Sequence, residues 1–139
     1  MANDLSYILY LEDSKLEIMR FQMALEASEY SGKVEIAMNG EKGLDFLNER
    51  RHHLPKLIVL DLRMPVMNGF EFLEKMKNDL TFRRIPIIVL SSSKNEKDII
   101  QCYDYQIAGY FTKPFSMNDY NKIVESIASY WGQAKIVNN

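Results

Sequence analysis

Short apolar runs alternate along the chain with segments whose apolar residues recur at helical spacing. Runs of this kind are typical of buried strands, and the segments between them are typical of amphipathic helices. The predicted strands are Tyr7 to Leu11, Lys33 to Met38, Lys56 to Leu62, Ile85 to Ser93 and Ala108 to Thr112. Each is followed by a predicted helix, so the chain consists of strand–helix units in series.

Residues that can cap a helix N-terminus mark where several helices begin. Two Ser-x-x-Glu pairs have the spacing of a capping box, in which each side chain satisfies a free backbone N–H. The predicted caps are Ser14 with Glu17, Asn39, Ser93 with Glu96, and Ser116. The third helix is predicted from about Phe70 to Asn78, and the apolar positions of the fourth are Ile99, Ile100, Tyr103 and Ile107.

Strand–helix units in series predict an α/β fold with a five-stranded parallel sheet, because right-handed crossovers return each strand in the same direction. Helices then cover both faces of this doubly wound sheet. The ligand site of such sheets lies at the carboxyl ends of the strands. The polar residues at those ends are Glu12, Asp13, Asp61, Ser91 and Lys113. We therefore expect these side chains to share one edge of the sheet.

The composition fits one domain and excludes several classes of function. The chain has 139 residues, 47% of them hydrophobic and 26% charged, which is ordinary for a globular protein. It has no apolar run near the roughly 20 residues of a membrane span and no basic region of a secretory signal, so we expect a cytoplasmic protein. The net charge of −2, with scattered basic residues, argues against nucleic-acid binding. The lone Cys102 excludes an internal disulfide.

Three of the residues at the strand ends are carboxylates, which repel one another unless a cation neutralises them. Magnesium suits such a site because it binds a few carboxylates, keeps several waters and takes phosphate oxygens. Lys113 adds a positive charge, and Ser91 adds a hydroxyl donor. This set indicates a phosphoryl group carried on Asp61 beside Mg²⁺.

Each of these residues also has a structural interpretation. Asp61 could only form a turn, and the acidic pair could only cap the first helix. Ser91 could be a buried strand hydroxyl bonded to backbone, and Lys113 could be a solvated loop lysine. Turn formation explains neither the acidic pair nor the lysine, so we favour the phosphoryl site.

The chain resembles the receiver domains of two-component response regulators. The matching segments are Glu12-Asp13, "LDLRMPVMNG" around Asp61, Ser91 five residues after Pro86, and "GYFTKPF" with Lys113-Pro114. They follow the family's order and spacing over roughly residues 5 to 130. The resemblance implies a flavodoxin-like sheet with strand order 2-1-3-4-5.

The same resemblance implies roles around the metal. Asp61 would be the phosphoacceptor, Asp13 a direct Mg²⁺ ligand and Glu12 a partner of the metal through water. Arg63 would be a ligand only through its backbone carbonyl. Glutamate in place of an aspartate at position 12 lengthens the side chain and changes the geometry toward the bound water.

Further roles are implied around the phosphoryl group. Ser91 would bond it after transfer and draw its loop inward, and Lys113 would pair with its oxygens. Tyr110 would be the aromatic switch residue whose rotamer changes with the phosphorylation state, or a core aromatic of its strand. Many family members have threonine where this chain has Ser91 and Asp-Gly where it has Asn68-Gly69, and both changes keep the needed chemistry.

The resemblance also implies partners. A phosphoacceptor of this type takes its phosphoryl group from a sensor histidine kinase or a phosphotransfer protein, promotes its own phosphorylation and dephosphorylation, and is otherwise not an enzyme. The segments "SSSKNEKDIIQCYDYQIAGYFTKPF" and "SIASYWGQAKIV" are similar to single-domain receivers found beside phytochrome-type histidine kinases. We expect a receiver domain over residues 1–131, a polar tail over residues 132–139 and no output domain.

Aromatic residues are concentrated near the C-terminus, where five of the eight tyrosines and the single tryptophan follow residue 100. Interaction surfaces are enriched in aromatics. We therefore expect the fourth helix, fifth strand and fifth helix to bind a downstream target or a kinase, or to form a two-fold homodimer. Helical spacing should turn Tyr105 and Tyr130 away from the directions of Tyr103 and Trp131, so that some of these residues are exposed. The alternative is that they only extend the core.

Two other functions fit the same fold. An aspartate-based phosphohydrolase would use Asp61 as a transient nucleophile, but such enzymes have an acid two residues later, where this chain has Arg63. A nucleotide- or flavin-binding module would need a Gly-rich phosphate loop after the first strand, where "LEDSKLE" stands.

Overall fold

The structure is a computed structural model that describes residues 6–30 and 32–135. Within them, strands and helices alternate as predicted, and a 3-10 helix over Phe82–Arg84 precedes the fourth strand. The strands are β1 (Tyr7–Leu11), β2 (Lys33–Ala37), β3 (Leu57–Leu60), β4 (Ile87–Ser91) and β5 (Gly109–Thr112). The helices are α1 (Lys15–Ala27), α2 (Gly40–Glu49), α3 (Gly69–Lys77), α4 (Glu96–Asp104) and α5 (Met117–Gln133). Helix α5 extends past residue 131, and residues 136–139 of the predicted tail lie outside the described residues.

The strands form one parallel sheet in the order β2-β1-β3-β4-β5, which confirms the predicted fold. Because the order reverses at β1, the carboxyl ends of β1 and β3 lie side by side near the centre of the sheet. The Glu12 N–H donates to the Ala37 carbonyl at 3.0 Å, and the Asp61 N–H donates to the Leu11 carbonyl at 3.1 Å. These bonds bring Asp61 beside the acidic pair that follows β1.

Alternate residues of the inner strands face opposite helix layers, because successive side chains of a strand point to opposite faces. Leu9 and Leu11 of β1 belong to the core shared with α2, α3 and α4. Ile8 and Tyr10 belong to the core shared with α1 and α5. The strands β1, β3 and β4 are buried along their whole length, as expected for inner parallel strands. The edge that carries the site is therefore supported from both sides.

The helix cap predicted at Ser93 is wrong. Helix α4 begins at Glu96, and its N-cap is Asn95. The Ser93 hydroxyl accepts from the Asn95 N–H at 3.2 Å and donates to the Asp98 carboxylate at 2.7 Å. Through these two bonds, the buried Ser93 side chain ties the loop before α4 to the helix and does not cap it.

Half of the capping box predicted for α1 is present. The Ser14 side chain accepts from the Glu17 N–H at 3.3 Å, so Ser14 is the N-cap. The Ser14 N–H, which the box would pair with Glu17, instead donates to the Glu12 carboxylate at 3.1 Å. The Glu17 carboxylate is thereby left to approach Lys113, at 3.5 Å.

Two other helix ends differ from the prediction. Helix α3 begins at Gly69, with a complete capping box between Asn68 and Glu71 that was not predicted from the sequence. Helix α4 ends at Asp104, so Ile107, predicted as part of this helix, lies beyond it. Ile107 is nevertheless buried in the core, which explains why its apolar character followed the helical pattern.

Candidate functional site

Three carboxylates meet at the carboxyl edge of the sheet. Glu12, Asp13 and Asp61 each offer an oxygen, and these oxygens lie within 4.8 Å of one another. Glu12 and Asp61 are buried, whereas Asp13 is exposed. Carboxylate oxygens at this spacing fit a hard divalent cation, which would also relieve their mutual repulsion. The donor set therefore supports a divalent metal site.

Lys113 lies against this acidic cluster. Its ammonium is 3.0 Å from Glu12 Oε1, 3.5 Å from Glu17 Oε1 and 3.8 Å from Asp61 Oδ1. Its backbone N–H donates to the Ser91 carbonyl at 2.8 Å, which ties the loop after β5 to the end of β4. Lys113 thus contacts Glu12 more closely than Asp61, the residue that carries the expected chemistry.

Glu17 was not among the site residues predicted from the sequence. It lies in the first turn of α1, four residues after Asp13, and its side chain is mostly buried. The first turn of a helix that follows a strand lies near the carboxyl end of that strand, so a further carboxylate in this turn, just after the acidic pair, was a usable signal. Assigning Glu17 to a capping box obscured it.

The pKa values reflect the crowding of charges. Burial raises the pKa of Asp61 from 3.8 to about 6; Lys113 opposes this shift, while Glu12 and Asp13 add to it. Burial alone would lower the pKa of Lys113, but the carboxylates of Asp61 and Glu12 outweigh it and raise that pKa. At neutral pH the site therefore holds a charged lysine and a poorly solvated Asp61 carboxylate, which is a suitable nucleophile.

The hydroxyl of Ser91 is engaged with its own loop. Ser91 is fully buried at the end of β4, and its Oγ accepts from the Ser93 N–H at 3.2 Å. The Tyr110 hydroxyl donates to the Ser93 carbonyl at 2.8 Å, and the Tyr110 ring is half-buried against the core. Both side chains therefore hold the loop between β4 and α4 in its present position.

The loop between β3 and α3 closes the other side of the site. The Gly69 N–H donates to the Leu62 carbonyl at 3.0 Å, and a Cβ at Gly69 would lie 2.8 Å from the Asp61 carbonyl oxygen, so only glycine fits. Val66 has φ of 68°, a left-handed conformation that a β-branched residue adopts only under constraint. The exposed Arg63 lines an open cleft of about 540 Å³ together with Asp13.

The C-terminal aromatics divide between the core and the surface. Tyr103 and Tyr130 are exposed by 49% and 64%, whereas Tyr120 is fully buried. Trp131 is half-buried and packs against the core. Tyr105 and Tyr103 point in different directions, as predicted, but it is Tyr103, on the predicted apolar face of α4, that is exposed, while Tyr105, just past the end of α4, packs against the core.

Comparison with known proteins identifies the family to which the chain belongs. The protein-family model of the response regulator receiver domain matches residues 8–125 of this chain. The probable methanogenesis regulatory protein FilR2 of Methanothrix harundinacea is 34% identical, over 94% of this chain and 86% of FilR2. Within residues 6–30 and 32–135, every helix is too short or too polar to cross a membrane.

Two solved structures are similar throughout. The Mn²⁺-bound form of response regulator Rcp1, a protein of Synechocystis, has a TM-score of 0.85 and 33% identity, over 95% of this chain and 99% of Rcp1. The phosphorylated cyanobacterial phytochrome response regulator RcpA has a TM-score of 0.87 and 34% identity, over 94% of this chain and 97% of RcpA. The chain therefore belongs to the response regulator receiver family and is a phosphoacceptor domain of two-component signalling.

Proposed function

We propose that Asp61 accepts a phosphoryl group from a phosphohistidine of a sensor histidine kinase or phosphotransfer protein. The observation that carries this proposal is the convergence of Glu12, Asp13 and Lys113 on the Asp61 carboxylate. An Asp61 oxygen attacks phosphorus, the P–N bond breaks, and the imidazole nitrogen keeps the bonding electron pair. The product is an acyl phosphate on Asp61.

The cofactor that best suits the site is Mg²⁺, because three carboxylate oxygens leave room for water and for phosphoryl oxygens. We assign Asp13 and Asp61 as direct ligands, the Arg63 carbonyl as a further ligand, and Glu12 as a partner through water. When bound, the metal offsets the negative charge of the incoming phosphoryl group. The Mn²⁺-bound form of Rcp1 supports a divalent metal in this kind of site.

The residues around Asp61 must rearrange after transfer. Lys113 would turn from Glu12 to a phosphoryl oxygen, since its ammonium is already 3.8 Å from Asp61 Oδ1. Ser91 would release the Ser93 N–H and donate its hydroxyl to another phosphoryl oxygen. Because Tyr110 is bonded to the Ser93 carbonyl, a shift of this loop would also free Tyr110 to change rotamer.

The phosphorylated state would be passed on through protein contacts. Exposed Ile100, Tyr103 and Tyr130 on α4 and α5 provide apolar area for a downstream target or a second copy of the chain. The likeness to RcpA supports a phytochrome-type histidine kinase as the donor. A kinase that draws its phosphoryl group from ATP would meet this domain in the cytoplasm. We assign residues 1–131 to the receiver domain and residues 132–139 to a tail.

Intact-mass measurement after incubation with acetyl phosphate and Mg²⁺ tests the assignment. We expect one phosphoryl adduct on the wild type and none on Asp61→Asn. The matched control is Asp79→Asn, an aspartate paired with Arg51 outside the site, which should be labelled like the wild type. Equal labelling of wild type and Asp61→Asn would refute Asp61 as the acceptor, and labelling unaffected by EDTA would refute the metal requirement.

A further inference from the structure

Tyr10 carries a hydroxyl deep in the core of the domain. Its side chain is fully buried, and its ring packs against Phe21 with a centroid separation of 4.4 Å. Phenylalanine would fill the same space, so packing does not account for the hydroxyl. A buried hydroxyl is costly unless it is hydrogen-bonded. Its acceptor here is Glu12 Oε1, at 3.2 Å.

Glu12 is held by three donors that come from different parts of the chain. Oε1 accepts from the Tyr10 hydroxyl of β1 and lies 3.0 Å from the Lys113 ammonium of the loop after β5. Oε2 accepts from the Ser14 N–H at the start of α1, at 3.1 Å. Glutamate has one more rotatable bond than aspartate, so its carboxylate needs more restraint to keep one position.

The three donors differ in whether they are free to move. Lys113 reaches the site on a flexible stem, and its ammonium lies between Glu12 and Asp61 at 3.0 and 3.8 Å. If it turns to a phosphoryl group on Asp61, Glu12 loses its cation. The Tyr10 hydroxyl cannot follow, because its ring is fixed between the sheet and α1. Tyr10 and Ser14 are then the donors that remain on Glu12.

We infer that Tyr10 is a positioning residue that holds the Glu12 carboxylate toward the metal-bound water, and that keeps it there when Lys113 transfers to the phosphoryl group. Tyr10 thereby allows a glutamate to act at position 12. This inference rests on the proposed function, because it assumes that a divalent metal binds beside Glu12 and Asp61.

The test is calorimetric titration of the unphosphorylated protein with Mg²⁺ and with Mn²⁺. Tyr10→Phe keeps the ring and removes only the hydroxyl, and we expect Kd to rise by roughly threefold to tenfold, because groups bonded directly to metal ligands give about tenfold or more, whereas Tyr10 contacts a residue that reaches the metal through water. The matched control is Tyr7→Phe, which removes another buried hydroxyl of β1 whose acceptor is the distant His53 carbonyl. Its Kd should equal that of the wild type.

A double-mutant cycle distinguishes positioning from a general loss of structure. In a Glu12→Ala background, Tyr10→Phe should leave Kd unchanged, because the acceptor is gone. An equal loss of affinity in both backgrounds, or wild-type affinity in Tyr10→Phe, would overturn the inference while leaving the metal site intact. No metal binding by the wild type would instead overturn the metal site of the proposed function, and the inference with it.

A second measurement uses only the wild-type protein, so it tests the positioning role of Tyr10 even if Tyr10→Phe does not fold. With tyrosine labelled at ¹³Cζ, addition of Mg²⁺ should shift the Tyr10 signal and leave that of Tyr7 in place. A Tyr10 signal as insensitive to the metal as that of Tyr7 would contradict the positioning role.

Discussion

The two sides of the site are held by different forces. On the lysine side, defined by Glu12, Glu17, Asp61 and Lys113, buried or mostly buried charges approach one another at 3.0 to 3.8 Å. On the serine side, defined by Ser91, Ser93, Asp98 and Tyr110, hydroxyl groups bond to a loop backbone and to one carboxylate at 2.7 to 3.2 Å.

This difference indicates which side should rearrange with little loss of stability. Removing one partner of a buried charge pair leaves an uncompensated charge and costs about 3 to 5 kcal/mol. A hydroxyl bond contributes only about 1 kcal/mol and is readily exchanged for another partner. The serine side can therefore exchange a backbone N–H for a phosphoryl oxygen at little cost, whereas Lys113 can leave Glu12 only when a phosphoryl group offers it a new anionic partner.

The largest expected effect is the loss of the central cation. Lys113→Met leaves Glu12 and Asp61 buried without a lysine, so the free energy of unfolding should fall by about 3 kcal/mol in urea titrations with EDTA. Lys94→Met, at an exposed lysine on the serine side, is the matched control and should change stability by less than about 0.5 kcal/mol. Equal effects of the two substitutions would mean that the lysine side is not held by charge.

The raised pKa of Asp61 predicts a pH dependence. Because the folded pKa is about 6 against an ordinary 3.8, the folded protein binds this proton more tightly, so the contribution of Asp61 to stability is greatest below 3.8 and is lost as pH rises through 6. As pH is raised from about 3.8 to above 6 in the presence of EDTA, the free energy of unfolding of Asp61→Asn should therefore rise, relative to that of the wild type, by up to about 3 kcal/mol.

Asp79→Asn provides a control of opposite sign for that experiment. Burial opposes the shift, but the Phe82 and Thr81 N–H groups and Arg51 together lower the pKa of Asp79. Its contribution to stability is present above the ordinary pKa and is lost as pH falls, so the variant should lose stability relative to wild type at neutral pH and recover in acid. A pH profile of the same sign for both variants would contradict the assigned charges.

A smaller effect is expected on the serine side. Ser91→Ala leaves the buried Ser93 N–H without the acceptor at 3.2 Å, so the free energy of unfolding should fall by about 1 to 2 kcal/mol. Ser92→Ala, at the exposed neighbouring residue, should be close to neutral. A loss as large as that of Lys113→Met would show that the two sides are equally hard to rearrange.

The smallest effect is expected for the Tyr110 hydroxyl. Tyr110→Phe removes the bond to the Ser93 carbonyl, but the residue is only half-buried and water can replace it, so stability should fall by less than about 1 kcal/mol. Amide hydrogen exchange should nevertheless become faster at Ser93 and its neighbours. Tyr103→Phe, on the exposed face of α4, is the control and should change neither quantity.

The sequence by itself determined the order of elements, the parallel sheet and the residue types at its carboxyl edge. This was possible because an inner parallel strand is apolar along its length, while the residues at its carboxyl end line the ligand site and are polar. Asp61 and Lys113 are 52 positions apart, yet each stands at the carboxyl end of a strand, so the parallel fold predicted that they would meet.

The tertiary structure decided which partner each polar group takes. Whether Ser93 caps α4 or bonds to Asp98, and whether Glu17 closes a capping box or approaches Lys113, depends on competing local and distant acceptors of similar strength. The bond from Tyr10 to Glu12 joins residues two apart, but an apolar strand pattern gives no sign that a hydroxyl has an acceptor. Hydrophobic periodicity records burial, whereas hydrogen bonds and ion pairs depend on distances of a few tenths of an ångström that only the packed chain sets.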